Sequence, residues 1–349
     1  MTAAQPPPST PTQATGAIAA PHGRKLPLRV GTRASPLALV QTRIFLDLLR
    51  RFCPELRSPG SAVGEPGQTL AFEEHAIHTT GDRITDRPLA DIGGKGLFAK
   101  EIHEALADRR IDFAVHSLKD LETELPHGIV LACALKREDA RDVLILGPGC
   151  HERESEDPYA ALPAGAVIGT ASVRRQAQLL HARPDLVCRS IRGNVQTRLA
   201  KVEGGEYAAS LLALAGLRRL GLADRASIVL EPETMLPSAG QGIIGITVRE
   251  DDLDLRNLLS AIEDLEVRAV ATAERALLAE LDGSCRTPIG GYARLLKGGM
   301  LQLTGLVARA DGSFLLKRSL SGLAADAAAI GRELGASLRQ DSPGDVFAS

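Results

Sequence analysis

Five arginines, one aspartate and one cysteine have the types and spacing to do chemistry in this sequence. Arg174 and Arg175 stand in the first turn of an expected helix, Val173 to His181. A helix N-terminus is already positive, so two guanidiniums there cost stability unless an anion sits with them. Helix N-termini are also ready anion sites. Arg192 and Arg198 bracket the next helix start, and Arg33 sits at an earlier turn of the same kind. Any one of these, taken alone, reads as a solvated surface residue. Five of them at three equivalent strand-to-helix turns, with Ser35, Thr170 and Ser172 beside them, point to a cleft for a ligand bearing several carboxylates or phosphates. Asp120 follows Lys119 at an expected strand end, an acid among cations. It could accept an N–H or stabilise a developing positive charge, transfer a proton, or form a plain surface pair with Lys119. Cys285 lies in a Gly-Ser-Cys turn where an exposed thiolate could act as nucleophile or attachment point. Gly93-Gly94-Lys95-Gly96 could bring backbone amides and Lys95 towards an anion, or be a simple turn; it does not fit a nucleotide-binding fingerprint.

These side chains need elements to hold them. Strand-like and helix-like runs alternate from about residue 27 to 260, which predicts α/β layers with largely parallel sheets. The first unit is a strand at Leu28 to Thr32, a polar turn, and an amphipathic helix from Ser35 to Phe52, with Ser35 as N-cap and Pro36 at the first helical position. Further strands are expected at Ile111 to Val115, Ile129 to Leu135 and Val143 to Leu146, and a surface loop over 147–165. The opening device then recurs: Ala166 to Thr170, a turn at Ala171-Ser172, and the helix that starts at Val173. A third version runs from Val187 to Ile191 through Arg192-Gly193-Asn194 into a helix ending near Lys201, capped by Asn194. Each unit aims a polar turn and a helix start off the carboxyl end of a strand, where open α/β sheets bind ligands. From about 265 a helix (Ala269 to Leu281), strands at 301–308 and 314–319 and a final helix near 323–340 suggest a small α+β domain.

The 349 residues suggest two or three domains at about 150 residues each. Hydrophobic residues at 44% and charged residues at 24% are ordinary for a soluble globular chain. A net charge of −2, 3% aromatic residues and no Trp argue against a nucleic-acid partner. No apolar run approaches the ~18 residues of a membrane span, so no membrane partner is expected. The five cysteines contain no C-x-x-C pair, and the eight histidines show no metal spacing. We therefore expect a reduced, cytoplasmic protein with no bound metal. Lysines number eight, so arginine supplies 41 − 8 = 33 of the basic residues.

Taken together, Gly31-Thr32-Arg33-Ala34-Ser35-Pro36, Thr79-Thr80-Gly81-Asp82, Gly93-Gly94-Lys95-Gly96-Leu97-Phe98, Val115-His116-Ser117-Leu118-Lys119-Asp120, Gly169-Thr170-Ala171-Ser172-Val173-Arg174-Arg175, Arg192-Gly193-Asn194-Val195-Gln196-Thr197-Arg198, Gly240-Gln241-Gly242 and Cys285 with Pro288-Ile289-Gly290 resemble the porphobilinogen deaminase (hydroxymethylbilane synthase) family. The resemblance spans roughly residues 27 to 310. It implies two lobes similar to those of periplasmic binding proteins plus a small α+β C-terminal domain. The expected boundaries are a disordered tail at 1–26, lobe 1 at 27–140 and 243–260, lobe 2 at 141–242, and a cofactor-attachment domain at 265–349. It implies a dipyrromethane cofactor held by a thioether to Cys285, onto which four porphobilinogen molecules add head to tail with loss of ammonia before hydrolysis releases hydroxymethylbilane. Asp120 matches the catalytic carboxylate, expected to stabilise the cationic azafulvene left when ammonia departs. Ser117, Lys119, Thr170, Ser172, Arg174, Arg175, Arg192 and Gly193 match cofactor contacts. Arg33, Ser35, Gln41, Lys95, Phe98, Asn194, Arg198 and Gln241 match substrate contacts. The family also implies a monomer.

Four positions depart from that pattern: Asp91 where Lys is common, Glu122 where Pro is common, Ser284 for Gly, and Ala171 for Ser. None removes a residue given a chemical role. The tail and an insertion-like stretch at 58–68 have no assigned counterpart. A non-catalytic two-lobed anion binder would have no use for Asp120 and Cys285 and would normally be exported; a deaminase that no longer turns over remains the other alternative.

Overall fold

A computed structural model describes residues 27–53, 71–83, 96–151, 155–281 and 287–347. The tail, the 58–68 stretch, Asp91, Lys95, Ser284 and Cys285 lie outside the described residues.

The first elements are β1 (Leu28–Arg33), α1 (Pro36–Phe52), β2 (Phe72–Ile77), a single turn α2 (Thr80–Arg83), α3 (Lys100–Ala107), β3 (Phe113–Ser117) and β4 (Ile129–Ala134). There follow β5 (Asp142–Leu146), β6 (Val167–Gly169), α4 (Val173–Ala182), β7 (Val187–Arg189), α5 (Val195–Glu203), β8 (Ala209–Ala213), α6 (Leu214–Arg219) and β9 (Ile228–Leu230). The chain closes with β10 (Ile244–Arg249), α7 (Leu253–Ser260), α8 (Leu265–Glu280), β11 (Ile289–Leu295), β12 (Met300–Ala308), β13 (Leu315–Leu323) and α9 (Ala327–Asp341).

Two five-stranded sheets share one plan: β2-β1-β3-β10-β4 and β7-β6-β8-β5-β9. In each, the first three strands pair in parallel and the fourth inserts antiparallel between the third and the fifth. Four of the five strands in each sheet thus run the same way, as the expectation of largely parallel sheets had it, and one strand runs against them. The cause is an exchange of strands: β10, late in sequence, enters the first sheet, while β5 enters the second at the same place. The chain thus crosses between the sheets twice, through 135–141 and 231–243.

The local signals work as expected at the capped helices. Ser35 accepts from the Ala38 N–H with Pro36 at the helix start, Ser172 accepts from Arg175 N–H, and Asn194 accepts from Thr197 N–H. Other elements were not expected. β2 reads Phe-Glu-Glu-His-Ala-Ile and is an edge strand with both glutamates exposed, so its polarity hides it. α3 and β11 were also missed, and the C-terminal sheet has three antiparallel strands rather than a hairpin.

Phe45 of α1 meets Phe113 of β3 edge-on at 5.5 Å in the first core. The C-terminal core is not sealed off from the lobes. Leu277 and Leu281, Leu303 of β12, and Leu334 and Leu338 of α9 pack in one cluster with Leu118 and Leu121, which flank Lys119 and Asp120. The acid is thus braced from below by the third sheet and its helices. Among the described residues, no helix is long and apolar enough to cross a membrane.

Candidate active site

β3 runs out at Ser117 into a tight 3₁₀ turn, Leu118–Asp120. Leu118 and Leu121 are buried, so the turn is anchored at both ends while Lys119 and Asp120 stay half-exposed between them. Arg275 of α8 fixes the next stretch by donating to the carbonyls of Leu121 (3.3 Å), Glu122 (2.6 Å) and Thr123 (3.0 Å). On the facing side, Arg33 at the end of β1 brings Nη1 to 3.8 Å from Asp120 Oδ2. Arg33 also forks onto Asp82, with Nε at 3.2 Å from Oδ2, and lies 4.1 Å above the Phe98 ring. Burial works to raise the Asp82 carboxyl, but the hydrogen bonds from Arg33 and from Thr79 Oγ1 (2.8 Å) outweigh it and hold the group below its ordinary value. Ser117 Oγ meets Gln41 Nε2 of α1 at 2.9 Å.

The second sheet supplies a buried charge cluster. Asp142, the first residue of β5, is fully buried. Its Oδ2 lies 2.8 Å from Arg174 Nη2 and its Oδ1 2.8 Å from Arg175 Nη2. Burial opposes ionisation of Asp142, but the two guanidiniums hold its carboxyl well below the usual carboxylate range. Arg174 also donates to the Leu236 carbonyl (2.5 Å) and Arg175 to the Leu211 carbonyl (2.8 Å). The anion that stabilises two arginines at the start of α4 includes an internal one, Asp142, which the sequence reading did not single out. One carboxylate for two guanidiniums still leaves an excess positive charge, and Arg175 Nε is buried with no hydrogen-bond partner. Thr170 Oγ1 accepts from Ser172 N–H at 3.1 Å, so both hydroxyls support the turn that presents this pair.

Gln241 joins the two halves. Its Nε2 donates to Asp142 Oδ1 and to the Ala140 carbonyl, both at 2.7 Å, and its Oε1 accepts from Lys119 Nζ at 3.3 Å. Gly240, at φ +74°, makes this possible, because a Cβ there would press on Leu118 and the Lys119 nitrogen at 3.0 Å. Burial brings the Lys119 ammonium down to about 8, partly countered by Asp120. Arg198 of α5 is also brought down, to about 10, by burial and then by Arg175 and Arg192, with Asp120 acting against them. Its Nε donates to the Gly193 carbonyl at 3.0 Å. Arg192 reaches across to the Gly81 carbonyl at 3.5 Å.

The structure thus brings Arg33, Phe98, Lys119, Asp120, Gln241, Arg174, Arg175, Arg192 and Arg198 to one cleft between the sheets. Ser35 and Asn194 are spent on helix caps, and Gln41 and Ser117 bond to each other. Lys95 and Cys285 lie outside the described residues. Asp82, Asp142 and Arg275 were not foreseen; the signal for Asp142 was an acid placed directly before the apolar run Val143 to Leu146. Among the remaining thiols, burial pushes Cys133 up to about 12 and Cys188 up to about 11, so neither is a ready nucleophile. Chemically, the excess guanidinium charge of the cleft suits a polyanion, and the half-exposed carboxylate of Asp120 is able to stabilise a cation beside it.

Comparison with known proteins agrees with that chemistry. The family description "Porphobilinogen deaminase, dipyromethane cofactor binding domain" matches residues 28–257, and "Porphobilinogen deaminase, C-terminal domain" matches 269–340. A porphobilinogen deaminase of Paracoccus denitrificans is 47% identical over 92% of this chain and 96% of its own length. A chloroplastic porphobilinogen deaminase of Oryza sativa is 47% identical over 89% of this chain and 83% of its own. Among solved structures, a periplasmic substrate-binding protein of an ABC transporter from Coxiella burnetii is 16% identical, with TM-score 0.39 over 67% of this chain and 91% of that one. The two-lobed α/β architecture stands on the strand order of the chain itself. Two matched domains and relatives near half identity over almost the whole length leave one conclusion: the chain belongs to the porphobilinogen deaminase family.

Proposed function

We propose that Asp120 is the catalytic carboxylate of this chain and that Cys285 carries its cofactor. The family's work is a transfer reaction of tetrapyrrole (porphyrin and haem) biosynthesis on a dipyrromethane cofactor, and this chain is an enzyme of that family. When bound, the dipyrromethane supplies the primer to which porphobilinogen units are joined. The residues present fit such a group. Each pyrrole of it bears an acetate and a propionate, and the cleft offers two buried guanidiniums sharing one carboxylate, with Arg175 Nε still without a partner. Arg174, Arg175, Arg192 and Lys119, with Ser117, Thr170, Ser172 and Gly193, would hold it. Arg33, Gln41, Lys95, Phe98, Arg198, Gln241 and the turns at Ser35 and Asn194 would receive the incoming porphobilinogen.

Asp120 does two things there. Its carboxylate stabilises positive charge as ammonia leaves porphobilinogen, in a site where fixed charges act more strongly than in water. It also accepts pyrrole N–H groups and so orients the ring. Arg33 holds a substrate carboxylate close to Asp120 without neutralising it, because Asp82 takes most of the Arg33 fork. The observation that carries this reading is Asp120, half-exposed and set 3.8 Å from an Arg33 whose fork is taken by Asp82, beside Lys119 in a cleft rich in arginine. Four additions and a hydrolysis would release hydroxymethylbilane. We place the lobes at 27–140 with 243–260 and at 141–242, and the attachment domain at 265–349, and take the protein to be a cytoplasmic monomer.

Intact-protein mass spectrometry tests it. The purified chain should exceed its sequence mass by one dipyrromethane, and Cys285→Ser should lose the excess. Asp120→Ala should keep the circular-dichroism spectrum of the parent and lose turnover of porphobilinogen. A Cys285→Ser protein that retains the adduct, or an Asp120→Ala protein with near-parental turnover, refutes the assignment.

A further inference from the structure

Asp142 lies outside the residues given a role in binding or chemistry, yet it is the hub of the cleft. Its carboxylate is fully buried and is met from three directions: Arg174 and Arg175 from α4, and Gln241 from the crossover that leads into β10. Gln241, itself 1% exposed, passes the connection to Lys119, next to Asp120 on the first sheet. The amide group has a fixed direction. Its NH₂ must donate to Asp142 and Ala140, so its oxygen is left to accept from the Lys119 ammonium. Turning the amide over would aim its oxygen at a carboxylate and a carbonyl and its NH₂ at an ammonium, losing all three bonds.

We propose that Asp142 is the positioning residue of this cleft: one buried carboxylate orients the Arg174–Arg175 pair directly and, through Gln241, fixes the Lys119 ammonium on the opposite sheet. The proposal rests on the cleft being the binding site described above. Removing one partner of a buried ionic group leaves the rest uncompensated, so loss of the Asp142 charge leaves two guanidiniums near Lys119 with no buried carboxylate to offset them. The charged groups around Lys119 are its neighbour Asp120, Arg175 and Arg174 from α4, and Asp142 from β5. Asp120 and Asp142 favour the ammonium; Arg174, Arg175 and burial oppose it. Without Asp142 the balance moves towards neutral lysine. Loss of the Gln241 acceptor moves it the same way.

The experiment uses the full chain labelled with ¹³C at lysine Cε, which is tractable because the sequence has only eight lysines. The Lys119 resonance is assigned by its loss in Lys119→Arg. In the parent it should titrate near pH 8. In Asp142→Asn and in Gln241→Met it should titrate lower by about half a unit or more, with Asp142→Glu partly restoring the parental value. The alkaline limb of kcat/KM for porphobilinogen should move down with it, whereas a purely structural defect would lower the amplitude and leave the limb in place. If Asp142→Asn fails to fold, Gln241→Met, which leaves both ion pairs intact, decides. A Lys119 titration unmoved in a folded variant overturns the proposal. A parent that does not convert porphobilinogen would instead refute the proposed function, and the lysine titration would still report on Asp142.

Discussion

Glu274 offers the sharpest test of how the third sheet supports the cleft. It lies in α8, is fully buried, and satisfies four donors: Arg137 Nη1 (2.6 Å), Arg137 Nη2 (3.4 Å), Gly240 N–H (2.7 Å) and Ala293 N–H (2.7 Å). The contacts belong to three segments, because Arg137 lies in the first crossover, Gly240 in the second, and Ala293 in β11. Glu274→Ala would leave two backbone N–H groups and a guanidinium without their acceptor. Arg137 keeps the Gln241 carbonyl (2.9 Å) and the Tyr292 ring (4.9 Å), so its loss is partial. Breaking a buried pair by removing one partner costs about 3–5 kcal/mol. With unfolding entropy of about 2.1 cal/mol/K per residue, a cooperative unit of this length loses roughly 4–7 °C in Tm. The assay is scanning calorimetry or far-UV circular dichroism, since a chain with no Trp gives little intrinsic fluorescence. Glu274→Leu with Arg137→Met, which removes both charges and keeps volume, should recover much of the loss. If Glu274→Ala melts within about 1 kcal/mol of the parent, buried charge does not fix these crossovers. If the double variant is as unstable as the single, the cost arose from the orphaned backbone N–H groups rather than from the stranded guanidinium.

Three further outcomes follow from the caps, close approaches and buried bases of the chain. Asn194→Ala removes the side-chain cap of α5 at an exposed position, and denaturant melts should show a loss of about 1 kcal/mol. Gly240→Ala forces a Cβ against Leu118 and the Lys119 nitrogen at φ +74°, so it should lower turnover more than it lowers Tm, read by paired kinetics and melting. Burial holds His103 down to about 4 and His116 down to about 3, from an ordinary 6.5. Both are depressed bases, so the unfolded chain takes up protons that the native one refuses. Their contribution is complete above pH 6.5 and is lost as pH falls from there towards 4 and then 3. His103→Phe should flatten the upper part of that acid limb in pH-dependent denaturation curves, and an unchanged limb would show that His103 is already protonated in the native state.

The parts of the fold that were legible in the sequence are those written in local code. Ser35, Ser172 and Asn194 were readable as caps because capping depends on a residue and its next three neighbours. The turns that carry the arginines were therefore placed correctly. β2 was not legible, since an edge strand with Glu73 and Glu74 exposed needs no apolar alternation. The antiparallel insertion of β10 was not legible either. Its run of apolar residues fits a buried strand but says nothing of its direction, and only the family resemblance assigned 243–260 to the first lobe. The carboxylates were the deepest omission. The charged partners of Asp82, Asp142 and Glu274 lie 49, 32 and 137 residues away at the nearest, distances at which sequence spacing carries no signal.

Those carboxylates also resolve what the arginine excess means. Among the described residues, many arginines away from the cleft are matched: Arg29 to Asp112, Arg141 to Asp139 and Glu231, Arg249 to Asp252, Arg268 to Glu263. A guanidinium matched in this way, away from the cleft, serves the fold. The cleft is built differently. Arg174 and Arg175 share a single acid, and among the described residues Arg198 pairs with no carboxylate and gives its Nε to a backbone carbonyl. What distinguishes the site is thus a local shortage of acids rather than an abundance of arginines. A ligand that brings its own carboxylates would complete the pairing. Asp120 belongs in this arrangement only because Asp82 holds Arg33 away from full pairing with it. If Asp82→Asn were to let Arg33 close on Asp120, turnover should fall while carboxylate binding persists, a rise in neither KM nor melting temperature accompanying the loss in kcat.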